Sequence, residues 1–423
     1  MPRRRLPVAI ILDLSALAVA MLVASLTVFG EPYPWYARPG SGTMIASMAF
    51  GALLGTFLAF RPAAEGPSRP SYGRAVTIGF VMVGTSAVTI VLTRAFWSRA
   101  FVLTATAVWL VLALAQRWVR RRRPWAERMV VISSEKALIG DLLGAPHADV
   151  VAVLDPSGEA PEEPMGHGTT IAIDLRAVLS DPMARFVSSS SIAGYPMRSL
   201  ASTYEEHTGR LPIIHLMEGW ELTVPLSGNR PYVRAKRALD TALVLASAPL
   251  SVLLGVLIWL AIKIESRGPA IFRQERVGRE GRPFTLYKFR TMRNDWGSGA
   301  RFAAQDDDRL TRVGKVLRRI RIDELPQLWN VLRGDLSLVG PRPEQQPFVE
   351  QFSQTIPFYG HRHLVRPGIT GWSQVNFGYA DSEADTVEKL SYDLFYVKHL
   401  SPWLDLEVLG RSVWTVLSGF GAR

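Results

Sequence analysis

Four apolar runs fill most of the first 120 residues, with short polar loops between them. Each run is close to the ~20 residues that an α-helix needs to cross ~30 Å of hydrocarbon. The first run follows three arginines, as in a signal peptide, but it exceeds the usual ~7–15 apolar residues and no small-x-small cleavage site follows, so we interpret it as a retained anchor. The sequence therefore predicts four membrane-spanning helices, over Leu6–Phe29, Thr43–Phe60, Ala75–Leu92 and Ala100–Ala115.

Arginines cluster at every second end of these runs. They are Arg3–Arg5, then Arg61, Arg69 and Arg74, then Arg117 and Arg120–Arg123. The two loops at the other ends carry fewer basic residues. Because basic residues concentrate on the cytoplasmic side of membrane proteins, this pattern predicts four spans with both ends of the region in the cytoplasm.

Composition narrows the function classes. The 423-residue chain is 48% hydrophobic and has a net charge of +11, which fits nucleic acid, an anionic membrane surface or phosphate-bearing substrates. The apolar runs favour the last two, so we expect no nucleic-acid partner. The chain has no cysteine, which excludes disulfides, thiolate metal sites and cysteine nucleophiles.

The middle of the chain, residues 125–229, alternates short apolar runs with helix-like stretches. This alternation predicts a small α/β, Rossmann-like domain with a parallel sheet. The turn after the first run reads Ser133-Ser134-Glu135-Lys136 and lacks the glycines of a dinucleotide site. We therefore predict a spacer, regulatory or oligomerisation unit. The expected strands are Met129–Ser133, Val150–Leu154 and Thr170–Ile173, and the expected helices include Glu135–Leu143 and Leu200–His207.

A fifth apolar run, Ala238–Ile264, is interrupted by Pro249. Proline removes a backbone hydrogen bond and kinks a helix. It divides the run into arms of roughly 11 and 13 residues, about 16–20 Å each, which are too short to cross. Basic residues flank both ends, so we predict a re-entrant helix over residues 236–265, broken at Pro249. A simple kinked transmembrane helix is the alternative.

Polar motifs that suit phosphate chemistry begin after Gly268. In Lys288-Phe289-Arg290, the alternation of an extended segment places both cations on one face, where they suit a diphosphate. The alternative is an ordinary surface strand. In Gly340-Pro341-Arg342-Pro343, the prolines restrict the backbone around Arg342, and a pre-positioned guanidinium can bind phosphate bidentately. The alternative is a rigid turn with an exposed arginine.

An adjacent acid pair, Asp323 and Glu324, precedes Pro326 and an expected helix, Gln327–Arg333, which Gly334 ends. A helix N-terminus stabilises carboxylates and incoming phosphate. One carboxylate can attack phosphorus while the other holds Mg²⁺. An acidic helix cap with nearby salt bridges is the alternative. Three arginines lie just upstream: Arg318, Arg319 and Arg321.

Together these motifs resemble the bacterial sugar transferase family, the monotopic polyprenyl-phosphate phosphoglycosyl transferases, from about Arg234 to the C-terminus. The order of the motifs, more than any one of them, carries the resemblance. They are Lys236-Arg237, Pro249, Gly268-Pro269, Gln274-x-Arg276-x-Gly278, Lys288–Met292, Asp308-Arg309-Leu310-Thr311, Asp323–Gln327, Asn330–Gly334, Gly340–Pro343, Pro367–Gly371 and Tyr392-Asp393.

The resemblance implies a two-step transfer of a sugar-1-phosphate from a UDP-sugar to polyprenyl phosphate, with undecaprenyl phosphate as the expected acceptor. Asp323 would be the nucleophile, with UMP released, and Glu324 would hold Mg²⁺. Contacts to phosphates or nucleotide would come from Lys288, Arg290, Arg318, Arg319, Gln327 and Arg342. The larger members often start capsule, O-antigen or exopolysaccharide assembly, which implies a bacterial inner-membrane enzyme with a cytoplasmic catalytic domain.

The expected architecture has three parts. Residues 1–124 form the four-helix membrane region, 125–229 the small α/β domain, and 230–423 a compact, mainly helical α/β catalytic domain with the re-entrant helix. The sequence does not reveal the sugar, and it leaves self-association into a homo-oligomer open.

Two other functions compete with this interpretation. A D-x-D glycosyltransferase would use Asp306-Asp307-Asp308 and release UDP. A non-catalytic scaffold for polysaccharide assembly would predict a damaged acid pair, yet both acids are present. His361 and His363 suggest a metal site, but no third ligand is in view, so we interpret them as structural or phosphate-facing.

Overall fold

The chain forms two compact units, Met1–Thr203 and Tyr204–Arg423. The first contains long apolar helices, and the second is a mixed α/β region, which confirms the predicted fold class at this coarse level. The computed structural model describes residues 5–32, 40–60, 72–93, 98–122, 126–161, 166, 168–213, 230–292, 310–377 and 383–418.

Four long helices begin the first unit, and all four were predicted from the apolar runs. Each is long and apolar enough to cross a membrane. Their bounds lie within a few residues of the runs, except that the fourth continues into the arginines that follow it. They are α1 (Arg5–Phe29), α2 (Ser41–Phe60), α3 (Tyr72–Thr93) and α4 (Arg99–Arg122).

The helices pack around Met48, Ile78 and Trp109, which are fully buried. One charged pair lies inside this packing: Arg117 Nη2 is 2.9 Å from Asp13 Oδ2. The outward faces are apolar as well. Helices that are apolar all round suit a lipid surrounding. Exposed apolar side chains on them include Phe50, Phe57, Phe80, Val91 and Leu92.

A four-stranded parallel sheet with the order β2-β1-β3-β4 follows. The parallel pairing and the first three strands agree with the prediction. The fourth strand and α6 had not been predicted. The strands are β1 (Glu127–Ile132), β2 (Ala148–Leu154), β3 (Thr170–Ile173) and β4 (Met197–Ser199), and the helices are α5 (Lys136–Leu143), α6 (Asp181–Ile192) and α7 (Leu200–Thr208).

The second unit contains two small sheets among helices. Strands β5 (Ile271–Val277) and β6 (Pro283–Phe289) form an antiparallel hairpin, and β7 (Ser337–Val339) pairs in parallel with β8 (Gly368–Thr370). The helices are α8 (Arg230–Glu265), α9 (Arg312–Arg319), α10 (Gln327–Arg333), α11 (Gln346–Thr355), α12 (Trp372–Asn376), α13 (Glu383–Lys398) and α14 (Pro402–Ser418).

Helix α8 runs for 36 residues, and Pro249 lies inside it. The predicted break at Pro249 is therefore not a helix end, because a proline removes one hydrogen bond and bends a helix without having to stop it. Residues Tyr232–Glu265 are long and apolar enough to cross a membrane.

Both arms of α8 pack on the same body. Before Pro249, Val244 packs with Leu286 of β6. After it, Ile258 and Ile262 pack with Phe289 of the same strand. The two halves of the helix thus pack against the same strand through two apolar clusters.

Both ends of α8 are also fixed to that body. At its start, Lys236 Nζ is 2.6 Å from Asp405 Oδ2 of α14, and Arg237 donates to the Leu332 carbonyl at 2.8 Å. At its end, the Glu265 carboxylate accepts the Arg312 backbone N–H at 2.6 Å. These polar contacts hold the two ends on the same unit.

Residues 204–213 belong with the second unit. Leu211 packs with Ile356 and Tyr359. Trp372 is buried, and its indole N–H donates to the Gly209 carbonyl at 2.8 Å. The two predicted domain boundaries stay predictions, since residues 123–125 and 214–229 lie outside the described residues.

Candidate active site

The turn Ile322–Glu324 carries the acid pair and is a short 3-10 helix. Arg321 precedes it with a φ of 54°, in the left-handed region that changes the chain direction. Pro326 then leads into α10, which ends at Gly334 with a φ of 92°, so the predicted proline–helix–glycine pattern is confirmed. The acids lie in their own turn before α10, which corrects the prediction that they lie at the N-terminus of that helix.

Glu324 lies between two cations. Its Oε1 is 3.1 Å from Lys288 Nζ and 3.2 Å from Arg342 Nη2. Burial alone would raise the pKa of Glu324, but the charges of Arg342 and Lys288 outweigh it and hold that pKa at about 2. Glu324 is therefore a fully ionised carboxylate at neutral pH.

Asp323 has the opposite shift. Its burial, followed by the neighbouring negative charge of Glu324, raises its pKa above the ordinary value, although Lys288 and Arg318 oppose the rise. Two adjacent acids with pKa values pushed apart are typical of sites where the acids have different roles. A carboxylate with a raised pKa is also a more basic nucleophile.

Other predicted site residues lie at different distances from this pair. Arg318 donates from Nε to Thr291 Oγ1 at 2.9 Å, and its charge acts on Asp323. Gln327 is buried at the start of α10. Arg319 is exposed on α9, and no contact joins it to the acid pair within the described part of the chain.

Arg290 is not brought to the acid pair. Its guanidinium donates to the carbonyls of Ser266 and Arg267 at 3.0 and 2.9 Å. It therefore fixes the chain just after α8. Lys288, two residues earlier, does reach Glu324, so the two predicted phosphate-binding cations have separate partners.

Close packing of glycines positions Arg342. A Cβ added to Gly340 would lie 2.4 Å from the Arg366 carbonyl oxygen, and one added to Gly368 would lie 2.1 Å from the Gly340 nitrogen. Backbone can approach backbone this closely only without side chains. The spacing of the Gly340–Pro343 and Pro367–Gly371 motifs thus places the Arg342 loop directly against β8.

A buried charge network supports that loop from behind. Arg362 donates to the Arg342 carbonyl at 2.9 Å and to Asp393 Oδ2 at 2.7 Å. Glu344 contacts Lys389 and lies 3.8 Å from both Arg276 Nη1 and Arg362 Nη1. Glu344 was missed in the sequence, although its position directly after the Gly340–Pro343 motif is the signal that could have found it.

His361 and His363 lie in a 3-10 helix, Tyr359–Leu364. Burial and the adjacent charge of Arg362 lower the pKa of His363 to about 4. His363 is therefore neutral at physiological pH, which leaves it unsuited to binding phosphate through a positive charge.

The residues of the acid pair fit a magnesium ion. Mg²⁺ is usually held by one or two carboxylates together with substrate phosphates and water. Glu324 is ionised, and the cations contact only its Oε1 among the described residues. The described residues contain no group of three or more His, Cys, Asp or Glu that could hold a metal, so phosphates and water would complete the coordination.

Two predicted features lie outside the described residues. They are the Asp306–Asp308 run of the D-x-D alternative and Arg309 of the Asp308-Arg309-Leu310-Thr311 motif.

Comparison with known proteins gives the same assignment for the second unit. Residues 231–419 match the family model described as bacterial sugar transferase. The chain is 46% identical over 258 residues to the UDP-N-acetylgalactosamine-undecaprenyl-phosphate N-acetylgalactosaminephosphotransferase of Aeromonas hydrophila, a match that covers 60% of each chain.

Two glucose-1-phosphate transferases are also similar. The UDP-glucose:undecaprenyl-phosphate glucose-1-phosphate transferase of Escherichia coli K12 is 43% identical over 230 residues, which cover 52% of this chain and 46% of that protein. The protein of the same name from Caulobacter vibrioides is 45% identical over 209 residues, which cover 47% of this chain and 76% of that protein.

The matches span about half the length of the first two relatives, and three quarters of the Caulobacter protein. The region that matches the family model, residues 231–419, includes the acid pair and the cations around it. The chain belongs to the bacterial sugar transferase family.

Proposed function

We propose that this protein transfers a sugar-1-phosphate from a UDP-sugar to polyprenyl phosphate, with undecaprenyl phosphate as the acceptor. One observation carries the proposal: Asp323, with its raised pKa, adjoins an ionised Glu324 held by Lys288 and Arg342. The names of the relatives, which specify UDP-sugars and undecaprenyl phosphate, supply the substrate classes.

In the first step, a carboxylate oxygen of Asp323 attacks the phosphorus that bears the sugar. The bond between that phosphorus and the bridging oxygen breaks, and UMP leaves with the bridging oxygen. The sugar phosphate is then bound covalently to Asp323. Arg342 and Lys288 lie where they can stabilise the charge on the phosphate oxygens.

In the second step, an oxygen of polyprenyl phosphate attacks the same phosphorus. The bond to Asp323 breaks, which gives the polyprenyl diphosphate sugar and restores the carboxylate. Two displacements at one phosphorus let the soluble donor and the lipid acceptor use the same site in turn.

Glu324 is the residue that we assign to Mg²⁺. The ion would supply Lewis-acid stabilisation of the donor diphosphate. The contacts of Glu324 support this assignment. Lys288 and Arg342 both contact its Oε1 atom, and among the described residues neither cation is paired with its Oε2 atom.

We further propose that α1–α4 cross the bacterial inner membrane and that α8 enters one leaflet and returns. The support for the second point is that both ends and both arms of α8 contact one unit. A helix that crosses the bilayer has its two ends on opposite sides of the membrane, so one unit would contact only one of these ends. The basic flanks of the apolar runs support a cytoplasmic position for the catalytic unit, where nucleotide-sugars occur.

Nucleotide release tests the reaction. Purified protein is given Mg²⁺, undecaprenyl phosphate and a panel of UDP-sugars, and the nucleotide product is identified. We expect UMP with one donor, and no UMP with Asp323→Asn. UDP as the product would mean that the phosphate stays behind, and this outcome would replace the proposal with a glycosyl transfer.

A further inference from the structure

An apolar groove of about 390 Å³ lies beside the turn that holds the acid pair. Helix α8 forms one wall, and β6 with the Leu325–Leu332 segment forms the other. Among the described residues that line it, Ser251 alone is polar, and its hydroxyl donates to the Ala248 carbonyl at 3.3 Å. The lining includes Ala248, Val252, Trp259, Phe289, Leu325 and Trp329.

The groove adjoins the charged cluster directly. Leu325 lines it and is two residues from Asp323, so their Cα atoms are at most about 7 Å apart. On β6, successive side chains point to opposite faces. Lys288 accordingly reaches Glu324 while Phe289 lines the groove. The site therefore has a cationic part and an apolar part that meet at one turn.

Gly255 of α8 also lines the groove. A Cβ added to Gly255 of α8 would lie 3.9 Å from Leu325 Cδ2 and 4.0 Å from Phe289 Cζ. A methyl group at this position would therefore make ordinary van der Waals contacts with the opposite wall. Any larger side chain at this level of α8 would occupy the groove.

We propose that this groove binds the first isoprene units of the polyprenyl phosphate acceptor, an inference that rests on the proposed function. In the acceptor, the attacking phosphate and the first isoprene carbon are joined through one oxygen. The tail must therefore begin within a few bonds of the sugar phosphate on Asp323, and the groove is the apolar surface that begins there. Its volume suits roughly two to three five-carbon units, since a ~150 Å³ cavity holds benzene.

Two matched substitutions in α8 test the inference. Ala248 lines the groove, whereas Ala246 is exposed on the same helix. We expect Ala248→Leu to raise the KM for undecaprenyl phosphate at least tenfold and to leave the KM for the UDP-sugar within twofold. Ala246→Leu should change neither. The effect of Ala248→Leu should persist with geranyl phosphate, because the groove holds the units next to the phosphate.

Photocrosslinking gives a readout that needs no turnover. Undecaprenyl phosphate with a diazirine on its second isoprene unit is bound to the wild-type protein and to Asp323→Asn, and the labelled peptides are mapped. We expect labels on the groove-lining side chains Val252, Val256 and Trp259 of α8 and on residues 325–332, reduced at least fivefold by Ala248→Leu and unchanged by Ala246→Leu.

Two outcomes would overturn the inference: equal KM values for the two alanine variants, or labels on the exposed face of α8 at Leu250 and Leu253. Absence of labels on the groove of the wild-type protein would overturn the inference as well. This readout does not depend on whether Ala248→Leu folds. Labelling of the groove without any sugar-phosphate transfer would support the isoprenoid site and reject the proposed function instead.

Discussion

At the scale of single residues, the acid pair shows how neighbours in sequence acquire different chemistry. Asp323 and Glu324 share one short turn, yet only Glu324 contacts Lys288 and Arg342 directly. Each carboxylate loses solvent, but contacts with cations compensate only one of them. The opposite pKa shifts of the two acids thus depend on which carboxylate the cations contact.

A first prediction concerns the pH dependence of transfer. The Asp323 carboxylate must be ionised to attack, so the rate should fall as the pH falls through its raised pKa. Arg318 is one of the cations that oppose this rise. Arg318→Gln should therefore move the acid limb of the pH–rate profile to higher pH.

The exposed neighbour Arg319 provides the control. Arg319→Gln should keep the acid limb of the wild-type protein in profiles of kcat/KM. Equal displacement of the limb by both substitutions would mean that net charge, rather than the position of Arg318, sets the pKa of Asp323.

A second prediction concerns the buried network behind Arg342. Burial would raise the pKa of Glu344, but Lys389, Arg362 and Arg276 hold it at about 2, below the ordinary 4.5. A depressed pKa means that this pairing stabilises the fold above pH 4.5 and that the stabilisation is lost as the pH falls toward 2. Glu344→Gln removes a buried negative charge that Lys389, Arg362 and Arg276 share, so we expect a loss of about 3–5 kcal/mol in the free energy of unfolding at pH 7.

Unfolding in detergent, followed between pH 7 and pH 3, checks this second prediction. The variant should show a flatter decline of stability with acid than the wild-type protein. Glu350→Gln, at an exposed position of α11, should unfold like the wild type. A Glu344→Gln protein with wild-type stability would show that the network does not support the Arg342 loop.

At the scale of elements, two glycine-rich motifs act as one structural piece. Gly340 and Gly368 bring β7 and β8 close enough that the loop with Arg342 lies against β8. Arg362 then holds the Arg342 carbonyl from the other side. The direction of one guanidinium is therefore set by backbone packing between segments that are distant in sequence.

A third prediction follows from this packing. In Gly340→Ala, the new Cβ would meet the Arg366 carbonyl oxygen at 2.4 Å, so the β7–β8 pair must separate. We expect a stability loss of about 1–3 kcal/mol and a transfer rate reduced by at least tenfold, because Arg342 moves with its loop.

Gly410 in α14 is the matched position, because a Cβ added there meets nothing within 4 Å. Gly410→Ala should keep activity and raise helix stability slightly, by roughly 0.5–1 kcal/mol. Thermal unfolding and UMP release measured on both variants separate a specific clash from a general intolerance of alanine.

The sequence predicted elements well where a local pattern determined them. Helices α1–α4 follow from the length of the apolar runs, and α10 from Pro326 and Gly334. Strand β4 has three residues and α6 contains four consecutive serines, so neither has a clear period. Short or aperiodic elements form because of the sheet around them, which the sequence does not display.

The candidate site shows the same limit. The turn with Asp323, the alternation around Lys288 and the rigid loop at Arg342 were all visible as motifs. The alternation of side chains along the extended segment predicted that Arg290 lies on the same face as Lys288. It did not predict that Arg290 would donate to the carbonyls of Ser266 and Arg267. The partners of Glu344 come from three separate segments, and single-sequence patterns carry no information on such long-range contacts.

At the scale of the whole molecule, every residue of the acid-pair cluster lies in the second compact unit. The first unit contributes the four long helices and the parallel sheet. The chain therefore separates a region that suits lipid from the region that holds the chemistry, except at α8, which serves both.

A fourth prediction tests the topology of α8. The natural chain has no cysteine, so single reporters need no background removal. Ala235→Cys and Arg267→Cys lie at exposed positions near the two ends of α8. If α8 is re-entrant, a membrane-impermeant maleimide should label both of them from the same side of sealed vesicles.

Phe96→Cys, between the third and fourth apolar runs of the sequence, should be labelled from the opposite side, because the positive-inside pattern predicts that this segment lies outside. Labelling of positions 235 and 267 from opposite sides would show that α8 spans the membrane. That result would leave the contacts at the acid pair unaffected and change only the proposed position of the helix.

The two anchored ends of α8 also determine which helices sense the thickness of the surrounding bilayer. If helices α1–α4 cross the membrane as proposed, they must match the full hydrocarbon width and tilt or deform the lipid when it differs. A helix held at both ends by one rigid body has no second surface to reach, so a thicker or thinner bilayer exerts no stretch on it. The distance between the acid pair and the lipid headgroups would accordingly stay constant across membranes in which the four-helix region has to adjust.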